Sequence, residues 1–197
     1  MRLPRPTLLL ILVAGTRSQA EALRDEAGAV LAPMGLRLSA EKTRIAHIDE
    51  GFDFLGFRIQ RQRKPGTPGK RVIYTYPAKK ALVALKAQVR AMTRTAYDQP
   101  LAVLLYRLNR VLRGWATYFR HGVSKATFDY VGQFAWNRVI RWLHRKYQHP
   151  SWTWLRRHYL PGWWPTDGEV RLLRPATVTV TRYRYRGHRI PTPWPIG

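Results

Sequence analysis

Three rows of arginine carry the chemistry that this sequence could do. Arg107, Arg110 and Arg113 recur at three-residue spacing, and Arg138, Arg141 and Arg145 follow at i, i+3, i+7. Arg182, Arg184 and Arg186 alternate with Tyr183 and Tyr185. A guanidinium offers a planar fork of donors that grips a phosphate bidentately, and a tyrosine ring offers a face for a base to stack on. On helices the first two rows would line the faces opposite the apolar stripes. On a strand the third would put its arginines on one side and its tyrosines on the other. The chemistry is recognition of a polyanion. No catalytic residue and no metal-ligand set is expected. The chain has no cysteine, which removes disulfides, thiolate zinc sites and a cysteine nucleophile. His144, His149 and His158 lie close in sequence, but no carboxylate or thiol accompanies them at ligand spacing, so they read as surface or backbone-bonded histidines.

The charge balance agrees. Thirty-five Lys and Arg oppose eleven Asp and Glu, a net charge of +24 over 197 residues. Residues 1–76 hold 13 basic and 7 acidic side chains, and residues 77–197 hold 22 and 4. Self-repulsion of that size opposes compaction unless a polyanion neutralises it. A charged helix face that only keeps a protein soluble mixes both signs, and here few acids accompany the arginines. Nucleic acid is the expected partner, with an anionic membrane surface as the alternative.

The elements that position these rows follow from periodicity. An apolar run at residues 8–14 is too short to span a bilayer and reads as a buried strand rather than a secretory leader. A helix over residues 18–32 follows, with Ser18 as its cap and Glu21 reaching back, and with Ala22, Leu23, Val30 and Leu31 available for burial. Phe52, Phe54 and Phe57 around Leu55-Gly56 suggest a second strand, and residues 72–76 a third, with a loop over residues 60–70 between them. After Pro77 the period becomes helical. Leu82, Leu85, Val89 and Met92 share one face. Leu101, Leu104, Leu105, Leu108, Leu112, Trp115 and Phe119 form a longer stripe, and Phe128, Val131, Ala135, Val139 and Trp142 mark a third helix over about residues 125–146. Three such helices with short links can close a bundle. Residues 147–197 are rich in Trp, Pro and Arg, and some of the tryptophans should cover that bundle.

The motifs resemble a family. Residues 35–43, Gly-Leu-Arg-Leu-Ser-Ala-Glu-Lys-Thr, followed by residues 51–57, Gly-Phe-Asp-Phe-Leu-Gly-Phe, look like the last palm blocks of group II intron reverse transcriptases. Residues 108–119 resemble the core of the maturase-specific thumb, called domain X. Trp136, Arg138 and Trp142 sit where that family's next helix carries aromatics and arginines. The resemblance implies an α+β fold of three parts: a truncated palm remnant over residues 1–76, a three-helix thumb bundle over 77–146, and a basic extension with β-structure over 147–197. Lys42, Phe54, Leu55, Gly56 and Phe57 would be the palm-motif remnant.

Intact members of the family copy intron RNA with paired aspartates that hold two Mg2+ ions. By this alignment the aspartate positions fall near Thr7 and Leu8, and no acid occurs before Glu21. The expectation is therefore a fragment without polymerase activity of its own and without a cofactor. Its function would be to bind intron RNA and assist its folding and splicing. Two alternatives stay open: a part of a split RNA-directed DNA polymerase, and a generic basic nucleic-acid-binding protein or decayed pseudogene product. The expected partner is structured group II intron RNA, with DNA and a complementing palm-and-fingers chain as further candidates and no membrane. The expected location is the cytoplasm of a bacterial-type cell.

Overall fold

A computed structural model of the chain describes residues 9–94 and 97–181. The described residues form two compact units that divide between His47 and Ile48. The fold is α+β: five α-helices and two small antiparallel sheets among the described residues.

The first unit is built on one helix, α1 (Arg17–Leu31). Its cap is Thr16, not Ser18. A cap residue needs extended dihedrals, and Thr16 has them at φ −84°, ψ 165°, while Ser18 is already helical. Gln19, rather than Glu21, closes the capping box by accepting from the Thr16 amide at 2.8 Å. The expected strand at residues 8–14 is not found over residues 9–14, and no α1 residue is buried. Leu12 is 77% exposed. A strand needs a neighbour to satisfy its backbone groups, and no described segment of this unit supplies one.

The second unit opens with a three-stranded meander, β1 (Phe52–Phe54), β2 (Phe57–Arg63) and β3 (Arg71–Pro77). Residues 52–57 thus form a hairpin rather than one strand, and β2 runs three residues past the expected loop start at residue 60. Leu55 and Gly56 occupy the two-residue turn with φ 47° and 78°. Two positive φ values match the right-handed twist of a tight hairpin. Glycine takes that conformation freely, whereas leucine does so at a cost of about 1–2 kcal/mol. The Tyr118 hydroxyl donates to the Leu55 carbonyl at 2.7 Å, and the Ala78 amide donates to the Gly56 carbonyl at 2.8 Å, so tertiary bonds hold the turn.

Three long helices follow: α2 (Lys79–Met92), α3 (Leu101–Phe119) and α4 (Lys125–Lys146). Their stripes meet in one core that includes Leu85, Val89, Leu104, Leu108, Leu112, Ala135, Val139 and Trp142. Trp115 is only half-buried, at the edge shared with a second cluster of Ala116, Phe119 and Phe128 that takes up Phe57 from the sheet. Gly122, between α3 and α4, lets β3 approach: a Cβ there would lie 2.8 Å from the Thr75 carbonyl.

The helices do not complete this core themselves. Leu155 of α5 (Trp152–His158), Leu160 and Leu172 are fully buried in it. The segment after α5 forms a small hairpin, β4 (Thr166–Asp167) with β5 (Val170–Arg171). It clamps α3 through polar contacts. The sequence offers only Pro100 as the α3 cap, and the Asp167 carboxylate supplies what is missing by accepting from the Ala102 amide at 2.8 Å. Asn109 donates to the Arg171 carbonyl at 2.8 Å and accepts from the Leu173 amide at 2.7 Å. The alternating strand expected around Arg182, Arg184 and Arg186 lies outside the described residues.

Candidate nucleic-acid interface

A concentration of unbalanced charge lies on the seam between α2 and α4. Lys86 and Arg90 of α2, with Arg94 just past its end, recur every four residues and stack along one side of that helix. The α4 row of Arg138, Arg141 and Arg145 runs beside them. Lys86 Nζ donates to the Tyr130 hydroxyl at 2.6 Å and lies 5.1 Å from the Phe134 ring centre. The Arg90 guanidinium lies 5.3 Å from the same ring. Arg138 Nε donates to Thr93 Oγ1 at 2.9 Å, and the Thr93 hydroxyl, fully buried, in turn donates to the Val89 carbonyl at 2.9 Å. Arg145 donates to the Tyr97 hydroxyl at 3.1 Å. Lys146 Nζ spans the Tyr97 and Gln99 carbonyls at 2.7 and 2.8 Å.

Cations on this seam are therefore held by hydroxyls, carbonyls and ring faces. Among the described residues none of Arg90, Arg94, Arg138, Arg141 and Arg145 is in an ion pair. The electrostatics reflect it. Partial burial first, then the charges of Arg141, Arg145, Arg94 and Arg90, pull the Arg138 guanidinium below its ordinary pKa. Positive groups that destabilise one another at short range, with one side open to solvent, are relieved by an anion placed among them.

The sequence rows divide on this geometry. Arg138, Arg141 and Arg145 come together with Arg90 and Arg94. Arg107, Arg110 and Arg113 are all exposed on α3, opposite its buried stripe, and none of the charges acting on Arg138 comes from that row. Arg182, Arg184 and Arg186 lie outside the described residues. Phe54 and Phe57 are half-buried in the hairpin that Leu55 and Gly56 turn, and Lys42 is exposed in the first unit. Lys86, Arg90 and Arg94 were not among the expected site residues. Their i, i+4, i+8 spacing was a readable signal, but only the packing of α2 on α4 gives them a shared surface with the second row.

Comparison with known proteins adds a family match over part of the chain. Residues 82–160 match the model of the group II intron, maturase-specific domain. That span includes nearly all of α2 and the whole of α3, α4 and α5, and with them both halves of the basic seam. The resemblance drawn from residues 108–119 is borne out by it. The maturase-specific match begins after the palm-like motifs at residues 35–43 and 51–57. The chain is also 42% identical over 73 residues to protein YkfC of Escherichia coli (strain K12), a match covering 36% of this chain and 19% of that protein. The chain thus spans about a fifth of the length of the curated relative it matches. No helix among the described residues is long and apolar enough to cross a membrane.

Proposed function

We propose that this chain binds structured RNA as a maturase-type module, with the α2/α4 seam tracking the phosphate backbone, and so assists the folding and splicing of a group II intron. The observation that carries the reading is the seam itself: five arginines on α2, just past its end and on α4, without a carboxylate partner among the described residues, inside the maturase-specific span. Such a surface gains free energy when phosphates replace its mobile counterions. The 2′-hydroxyls and unpaired bases of a folded RNA would add preference over duplex DNA. Primer extension is not part of the proposal. The paired carboxylates that two-metal chemistry requires have no counterpart near Thr7 and Leu8. A second reading, one subunit of a split RNA-directed DNA polymerase, draws on the exposed apolar side chains of residues 9–13, which a complementing chain could cover.

The test is a titration of a group II intron RNA, a scrambled RNA and duplex DNA at several salt concentrations. The intron RNA should bind most tightly. Arg138→Ala with Arg141→Ala should lower the salt slope by about 0.7–0.9 for each phosphate that is no longer neutralised. Equal affinity for all three ligands would reduce the chain to a generic basic protein. An unchanged slope in the double variant would remove the seam from the interface.

A further inference from the structure

The other flank of α4 carries a different surface. Trp136 stands two residues before Arg138, about 200° away round the helix, so it faces away from α2. Its indole Nε1 donates to the Trp163 carbonyl at 2.9 Å, and its ring lies nearly parallel to Trp152, at 8° with ring centres 6.4 Å apart. Trp152 in turn meets Trp163 at 6.4 Å and takes the edge of His144 at 5.4 Å. The Arg156 guanidinium lies 4.9 Å from the Trp163 ring centre. Trp136 is half-buried against the core, whose packing here falls to Trp142, Leu143 and Leu155, all fully buried. Trp152 and Trp163 remain 46% and 51% exposed. Two exposed indoles inclined to one another, one parallel to the half-buried Trp136 and the other with a guanidinium over its ring, form an aromatic ledge.

Charge selects the partner. No Asp or Glu occurs from residue 130 to residue 166, while that stretch carries Arg138, Arg141, Arg145, Lys146, Arg156 and Arg157. His144 ties the ledge to the arginine row, since it sits one turn beyond Arg141 on α4. A protein surface of mixed charge would meet repulsion here, whereas a strand of nucleotides offers phosphates and planar bases in alternation. We propose that Trp152 and Trp163 are a stacking site for unpaired RNA bases, with Arg156 and Arg141 holding the flanking phosphates. The proposal rests on the reading of the α2/α4 seam as the backbone track and adds to it the strandedness of the RNA that is recognised.

The test uses the full chain, single-stranded oligoadenylate and a blunt RNA duplex of equal length, with binding followed by tryptophan fluorescence. Trp152→Ala and Trp163→Ala should each weaken oligoadenylate binding about tenfold, the loss of one base stack. Duplex affinity and the salt slope should not change. Trp163→Tyr, which keeps a ring face, should retain most of the binding. Wild-type affinity in both alanine variants would overturn the proposal. So would equal losses on oligoadenylate and duplex, or a tyrosine variant as weak as the alanine one. Failure of the backbone track is read separately: an unchanged salt slope in the Arg138→Ala, Arg141→Ala variant rejects the seam and leaves the tryptophan comparison to stand on its own ligands.

Discussion

Arginine serves two opposite purposes in this molecule. On the sheet, Arg61 forms a two-pronged pair with Asp49, at 2.6 and 2.9 Å, and Arg71 joins the same carboxylate at 3.1 Å. Arg58 pairs with Asp53 at 3.2 Å. The hydrogen bond to Asp49 is the main reason that the Arg61 pKa is raised. On the α2/α4 seam the same residue type stands in rows with no carboxylate paired to them among the described residues, and the Arg138 pKa is lowered, by burial and then by its neighbours. Where the chain needs a stable strand pair it supplies acids. Along the seam it leaves them out. Asp167, one of the four acids of the second half, caps α3 rather than pairing with a seam arginine.

Arg90→Glu with Arg94→Glu should cause the largest loss of RNA affinity. It should also lower the salt slope by more than the same reversal at Arg107 and Arg110, because only the α2 row borders the α4 row. Parallel titrations of the two variants decide this, and a larger loss from the α3 variant would move the interface to that helix. Asp167→Ala should come next. Loss of the α3 cap should cost about 0.5–2 kcal/mol in urea unfolding, while the salt slope stays as in the parent. Thr93→Val removes the acceptor that fixes Arg138 and should cost about 1 kcal/mol of stability. It should also weaken RNA binding a few-fold, measured in the same titrations. The smallest effect belongs to the sheet: Asp49→Asn should lower Tm slightly, more at low salt than at high salt. It should leave the RNA salt slope unchanged although it releases two arginines. A steeper slope in that variant would mean that the sheet also faces the RNA.

Much of this was legible in the residues. The stripes of α2, α3 and α4 were, because 3.6-residue periodicity names the buried face before any partner is known. The two described arginine rows were legible as solvent-facing for the same reason. Neighbourhood was not legible: spacing places Arg138 on a face of α4 but cannot say that the face adjoins α2. The apolar run of residues 8–14 misled because composition reports that a segment could be buried, not that a neighbour exists to bury it. The capping residue moved from Ser18 to Thr16 because capping depends on where the helical dihedrals begin. The contributions of Leu155, Leu160 and Leu172 were hidden by short, irregular elements that have no period to read.

The clamp on α3 has a consequence for the order of events during synthesis. The bonds from Asp167, and those between Asn109 and residues 171 and 173, join positions more than sixty residues apart. Both helices of the seam are complete at Lys146, whereas the parts that seal the core beneath it follow later in the chain. At a ribosomal rate of about 5–20 residues per second, this leaves an interval of about 1–5 s. During that interval a nascent chain exposes its arginine rows before α3 is fixed. An RNA already tethered near the ribosome would meet a pliable surface rather than a finished one. Released chains truncated near residue 155 should therefore show an α3 open to proteolysis, and the full chain should show it closed.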